Sequence, residues 1–285
     1  SLSTLLSKAP KLLWSEGNFD VRFENGQEPI VYSLSYSNKK ITREQLKVGN
    51  IDRLQRDSKS EIQIFSQEEN KFLRFQTEFD EVAAFVRRDP IQHPFLENLY
   101  KWGKGLRRYN FGTPLGKDTL VGRNDETTRP NPDPADTEQV LGILLKGLED
   151  HPNLFKKSVL NDMNRVGFNV DDIEVRPMES IQVRGSFLPS NFAPLGIHIH
   201  EEGIRSTIDQ HALSQGMFRA LSVIIQINYS SFSDIPSCIL IDDIGEGLDF
   251  ERSSALVQLL IEKAKNSSVQ LIMTTNDRFV MNKVP

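Results

Sequence analysis

The chain has 285 residues, of which 38% are hydrophobic and 26% charged, with a formal net charge of -5 at pH 7. This is enough apolar material for one large domain, or for a core domain with a sizeable insertion, and the negative balance excludes a global pull toward nucleic acid or anionic membrane. The single cysteine excludes an internal disulfide framework, no apolar run approaches the ~20 residues of a membrane span, and no signal-peptide pattern stands at the start; a cytoplasmic protein with no membrane partner is the expectation.

Leu2, Leu5, Leu6 and Leu13 fall roughly on one face of a short helix ending near Trp14 and Gly17. The period then changes to alternation. Phe19, Val21 and Phe23, a turn at Asn25 and Gly26, and Ile30, Tyr32, Leu34 and Tyr36 predict a hairpin, and residues 61–65 and 71–75 predict a second. Residues 1–77 therefore read as an antiparallel β subdomain behind one helix. Phe79, Val82, Ala83 and Val86 carry a helical pattern over 78–88 that stops before Pro90.

In residues 99–117, Lys101, Lys104, Arg107, Arg108 and Lys117 are interleaved with Tyr100, Trp102, Tyr109 and Phe111. Charge for phosphate and rings for stacking suit a nucleic-acid surface, with DNA as the candidate partner. The same composition suits an irregular insertion with solvated charges and tucked aromatics, which is the favoured reading. Residues 112–117, GTPLGK, have the wrong spacing for a phosphate loop, and no apolar strand is expected to lead into them.

Repeated proline makes 129–135 a linker. Beyond it, Val140, Leu141, Leu144, Leu145 and Leu148 line one helical face, with Asp136 or Thr137 as N-cap. A second helix follows Pro152, carries Phe155, Val159, Met163 and Val166, and closes at Gly167. Strands are expected near Ile173, Ile181 and Ile197. His198 and His200 lie two apart on the last of these, and an ordinary strand is the simpler reading because no third metal ligand is visible nearby.

Ser214 is placed to cap a helix through Met217, Ala220, Leu221 and Ile224, and Gly216 leaves room for a phosphate to approach exposed N–H groups. After a short loop, 238–241 form an apolar run suited to a strand buried on both faces, which delivers Asp242 and Asp243 at its carboxyl end. Such a pair either holds Mg2+ and polarises a water, or is a solvated strand end. A helix over 251–265, burying Leu256, Leu259, Leu260 and Ala264, and a strand from Val269 complete a βαβ unit.

In that order, the segments resemble the nucleotide-binding domain of the ABC superfamily, in the branch shared by SMC proteins and the AAA-type ATPases of bacterial defence and DNA-repair systems. LSQGM at 213–217 resembles the signature LSGGQ, CILIDD at 238–243 the Walker B strand, GEGLD at 245–249 the D-loop, and VQLIMTTND at 269–277 the last core strand with its switch loop. The resemblance implies an α/β fold of the ABC nucleotide-binding type, with a mixed or parallel core sheet, an antiparallel β subdomain (1–77), a helical lobe with an irregular insertion (78–170) and a C-terminal core (171–285).

It also implies ATP and Mg2+ as cofactors. Asp242 would support Mg2+, Asp243 stands where the family has its catalytic Glu, with Glu246 as a substitute, and Asn276 stands where the switch residue is commonly His. Ser214, Gln215 and Gly216 would meet the nucleotide of a second copy, and Asp249 would bridge to that copy. GxxxxGK[ST] does not occur in the 285 residues, and Ser1 with the following LSTLL resembles the tail of that motif, which would place the phosphate loop just upstream. The implied activity is ATP binding and hydrolysis with head-to-head association as a homodimer or higher homo-oligomer. That association would regulate a nucleic-acid-directed or effector protein such as a nuclease, with antiphage defence among the settings. Asp in place of Glu, and Asn in place of His, keep open an alternative: a slowly hydrolysing or non-hydrolysing scaffold that closes on ATP and holds a partner protein.

Overall fold

The computed structural model describes residues 5–6, 8–9, 11–24, 28–57, 61–123, 131–178, 193–232 and 237–282. Ser1, the turn at Asn25 and Gly26, and the strand expected near Ile181 lie outside them. The chain forms two compact units, 1–105 and 106–285, so the division falls inside the segment that the sequence assigns to a helical lobe.

The first unit is a six-stranded antiparallel meander, β1 (Gly17–Phe23), β2 (Ile30–Ser37), β3 (Lys40–Val48), β4 (Ile51–Arg56), β5 (Ile62–Ser66) and β6 (Lys71–Phe75), followed by α1 (Ala83–Val86) and α2 (Phe95–Gly105). Both expected hairpins are present. The sequence reading had no strands at β3 and β4, because residues on their inner face are charged. Glu44 is fully buried and accepts from Tyr32 Oη at 3.0 Å, Ala83 N at 2.9 Å and Ala84 N at 2.8 Å. Arg56 is equally buried and donates to the carbonyls of Glu81 at 2.7 Å and Glu78 at 3.0 Å.

Those bonds explain why the helix expected over 78–88 shrinks to α1. The carbonyls of residues 78–81 accept from Arg56, Ile41 N and Leu12 N, long-range partners that compete with the helical ladder there. The apolar core of this unit gathers Tyr32, Leu34, Leu46, Leu54, Ile62 and Ile64 from the sheet and Leu96 and Leu99 from α2.

The second unit contains β7 (Leu106–Asn110), β8 (Val121–Arg123), α3 (Val140–Asp150), α4 (Pro152–Arg165), β9 (Val170–Pro177), β10 (Ala193–Glu201), β11 (Ile208–Asp209), α5 (Gln215–Phe232), β12 (Ser237–Asp242), α6 (Phe250–Lys265), β13 (Val269–Met273) and α7 (Arg278–Met281). A parallel sheet runs in the order β13-β12-β7, and an antiparallel one is built around β10 with β8, β9 and β11. The expected α/β class, with a parallel core sheet and an antiparallel β portion, is borne out. Residues 106–110, read as irregular, are instead a strand, and it leads directly into 112–117.

Helix α5 is the centre of this unit. Met217, Phe218, Leu221, Ile224, Ile225 and Ile227 are buried around its circumference, and each such side chain contributes about 1.5–3 kcal/mol by leaving water. Helix α4 ends as expected: Gly167 takes φ +91°, its N–H donates to Asn164 O, and Phe168 N–H reaches back to Met163 O. Helix α3 starts differently, with Gln139 rather than Asp136 or Thr137 as its N-cap. Asp136 instead accepts from Gln139 Nε2 at 2.8 Å.

Candidate nucleotide site

Strand β12 carries Ile239 and Ile241 into the core and ends at Asp242. Register sets what stands beside it: Asp242 pairs with Asn110, the last residue of β7, and Ile241 with Met273, the last of β13. In parallel strands the carboxyl ends share one edge, so Asn110, Asp242 and Thr274 emerge together.

Thr274 pins the two aspartates. Its Oγ1 donates to Asp242 Oδ1 at 2.6 Å and accepts from Asp243 N at 3.0 Å, while its own N–H donates to Ile241 O at 2.9 Å. Asp243 has φ +55°, a left-handed conformation that Asp and Asn tolerate better than other residues with a Cβ. Asn276 is exposed two residues beyond Thr274.

The chain then turns on two glycines, Gly245 at φ +96° and Gly247 at φ +82°. Glu246 is exposed, and its N–H donates to Asp243 O at 3.2 Å. Asp249 caps α6, accepting from Arg252 N at 2.9 Å and pairing with Arg252 Nη1 at 3.2 Å.

Ser214 is exposed and caps α5 as expected, accepting from Met217 N at 3.2 Å. Gln215 Nε2 donates to Thr113 O at 3.4 Å. The room read at Gly216 has a different use. Gly216 is buried, and a Cβ there would lie 2.2 Å from Gly247 O, so the missing side chain admits the 245–248 turn rather than a phosphate. On the open side of Ser214 lies a cleft of about 270 Å3, lined by Phe168, Asn169, Glu201, Met217 and Arg252 among others.

The oxygen-only donors at the strand ends, the Asp242 carboxylate with the Asn110 amide carbonyl nearby in register, fit a hard cation such as Mg2+. Mg2+ takes one or two carboxylates and completes its shell with water and phosphate oxygens. Among the described residues no group of three or more His, Cys, Asp or Glu could hold a metal by itself.

The basic stretch needs correction. Arg107 is only 7% exposed, in register with Ile239 in the core sheet, and burial lowers its pKa. It is not a surface cation for nucleic acid. Lys101 and Lys104 belong to α2 of the first unit, whereas Arg108, which is exposed, belongs to β7 of the second. His198 and His200 pair across β10 and β9 with Glu174 and Asp172, as in an ordinary sheet.

Asn110, Thr274 and Arg219 were missed in sequence. A strand ending in Asn and a TTND segment after an apolar strand were the available signals for the first two. An Arg within a helix is not distinctive, so the third had none.

No protein-family model and no curated protein matches the chain. Solved structures similar to it include heads of SMC proteins. The Smc head bound to the C-winged helix domain of ScpA aligns with 95% of this chain and 69% of its own, at 11% identity and TM-score 0.48. The SMC head domain from Thermotoga maritima aligns with 97% of this chain and 71% of its own, at 14% identity and TM-score 0.39. An SMC ATPase studied for ATP-driven dimerization and DNA-stimulated activation aligns with 46% of this chain and 73% of its own, at 17% identity and TM-score 0.33.

Proposed function

We propose that the chain belongs to a Mg2+-dependent, ATP-binding ATPase of the ABC/SMC kind, which associates head to head when ATP is bound. The observation that supports this most is the carboxyl edge of the parallel sheet, where Asp242 and Asp243 leave adjacent to Asn110 and are held by one hydroxyl, Thr274 Oγ1. The ordered motifs agree with it: a Ser-capped helix at 215 lies against the turn that follows those carboxylates through Gly216 and Gly247.

In this reading Asp242 and Asn110 hold Mg2+, which when bound neutralises phosphate charge. Asp243 polarises the attacking water, with Glu246, three residues on in the same turn, as its substitute, and Asn276 donates to the terminal phosphate. Ser214 and Gln215 present their donors to the nucleotide of a second copy, and Asp249 meets that copy. Catalysis then rests on positioning and charge stabilisation, which dominate phosphoryl transfer. The associated form acts on an effector protein such as a nuclease, in the cytoplasm, with antiphage defence as one setting.

A second reading has a specific observation in its favour. Asp243 is one methylene shorter than Glu and sits at φ +55°, which suits a scaffold that closes on ATP and turns it over slowly or not at all. MgATP binding and single-turnover hydrolysis of the full-length protein separate the two. We expect Asp242→Asn to weaken Mg2+-dependent binding about tenfold, or ~1.4 kcal/mol, and Asp243→Asn to bind normally but hydrolyse roughly 100-fold more slowly. Equally negligible rates for wild type and Asp243→Asn, with ATP bound, select the scaffold. Failure of the wild type to bind MgATP removes both.

A further inference from the structure

Helix α5 carries an arginine whose partners are all backbone. Arg219 is 8% exposed, and its guanidinium donates from Nε to Thr113 O at 3.0 Å, from Nη2 to Gly112 O at 2.8 Å and from Nη1 to Glu246 O at 3.0 Å. The first two acceptors belong to the loop after β7, the third to the turn after β12. We infer that Arg219 is a positioning residue, coupling the helix that starts at Ser214 to both strand-end segments of the candidate site. The coupling to ATP turnover rests on the function proposed above; the mechanical link does not.

Each bond continues to a site residue. Thr113 donates to Asn110 O from its N–H at 3.0 Å and from Oγ1 at 2.8 Å. On the other branch, Glu246 N–H donates to Asp243 O at 3.2 Å. Arg219 is therefore two hydrogen bonds from the backbone of Asn110 and two from that of Asp243, the residues flanking Asp242 in space and in sequence.

The turn after β12 is shaped to admit the fork, and the loop after β7 to admit the Glu246 side chain. A Cβ on Gly247 would come within 3.1 Å of Nη1, and a Cβ on Gly112 within 2.7 Å of Glu246 Oε2. Further bonds tie the 112–119 segment to the α5 region: Ser222 Oγ donates to Leu115 O at 3.2 Å, Gln210 Nε2 to Lys117 O at 2.8 Å, and Lys117 Nζ to Leu213 O at 2.5 Å. None of these reaches the turn after β12, whereas Arg219 reaches both. Arg is suited to this because its planar fork offers donors in three directions at once, which the point charge of Lys does not.

The test compares full-length wild type with Arg219→Gln, Arg219→Lys and Val159→Ala. The last is a core change in α4, at a residue with 0% exposure, chosen to lower stability without touching either segment. Without nucleotide, hydrogen–deuterium exchange in Arg219→Gln should rise together in 111–116 and 244–248, by about tenfold for ~1.4 kcal/mol of lost coupling, while 140–165 stays as in wild type. With MgATP, kcat should fall at least ~10-fold at nearly unchanged KM, the pattern of an interaction used only in the transition state, with Arg219→Lys intermediate and Val159→Ala unchanged. Exchange that rises in one segment alone, or not at all, overturns the coupling. So does a loss of kcat no larger than that of Val159→Ala. If the wild type binds no ATP the proposed function fails, and the exchange experiment still decides the coupling.

Discussion

Thr274→Val isolates a single hydroxyl at the junction of the two aspartates. In wild type that hydroxyl donates to Asp242 Oδ1 at 2.6 Å and accepts the Asp243 N–H at 3.0 Å. A hydrogen bond to a charged group contributes about 1.5–3 kcal/mol and a neutral one about 1 kcal/mol. Thr274 is exposed, so water recovers part of that loss, and we expect a net cost of about 1–2 kcal/mol in positioning Asp242. If the cost falls on the reacting arrangement, kcat/KM drops about 5–30-fold and more Mg2+ is needed for half-maximal turnover. Thr274→Ser, which keeps the hydroxyl, should stay within about twofold of wild type. The assay is steady-state ATP turnover over a Mg2+ titration, with urea denaturation as a measure of stability. Wild-type turnover and Mg2+ dependence in Thr274→Val would refute the reasoning, as would a Thr274→Ser protein that falls as far as the valine variant.

Gly216→Ala brings a Cβ to 2.2 Å from Gly247 O and 2.9 Å from Leu248 Cδ2; about 1–3 kcal/mol of stability should be lost, read by thermal denaturation, and an unshifted transition would mean the turn moves aside freely. Lys263 Nζ lies 2.7 Å from the buried Asp162 and 2.8 Å from Asn228 Oδ1, joining α4, α5 and α6. Lys263→Met leaves the carboxylate without its cation, at a cost of about 3 kcal/mol, whereas Asp162→Leu with Lys263→Met should recover most of it; a double variant as unstable as the sum of the singles contradicts this. Burial raises the pKa of Glu44 above the ordinary carboxylate range. The folded state therefore binds the proton more tightly, and this contribution to stability is full below the unfolded pKa of about 4.3 and is lost as pH rises through the folded value. Glu44→Gln removes that slope and, by placing an amide NH2 against backbone N–H donors, also costs about 1–3 kcal/mol. Urea denaturation from acid to neutral pH should show the gap between wild type and variant narrowing; parallel curves would count against it.

Much of the second unit was legible because its signals are local. The apolar period and a closing glycine set α4, a serine followed by that period set the start of α5, and an apolar run ending in two aspartates set β12 and its carboxyl end. The strands that were misread share one cause. At β3, β4 and β7 the inward alternation includes Glu44, Arg56 and Arg107, and in sequence a charged residue reads as solvent-facing. Two of them are buried because the fold brings them polar groups from elsewhere: Glu44 meets the amides of Ala83 and Ala84, and Arg56 the carbonyls of Glu78 and Glu81.

The candidate site divides along the same line. Its carboxylates and its capped helix were determined by the sequence alone, since strand ends, caps and glycine turns depend on neighbours a few residues away. Which residues complete it was decided only by the tertiary structure. Asn110 is beside Asp242 through parallel register, Thr274 bonds to Asp242 across 32 residues, and Arg219 reaches Gly112 across 107. Parallel pairing and a buried guanidinium both take partners from far along the chain. The position of these residues is therefore a property of the packed molecule, with no local pattern to announce it.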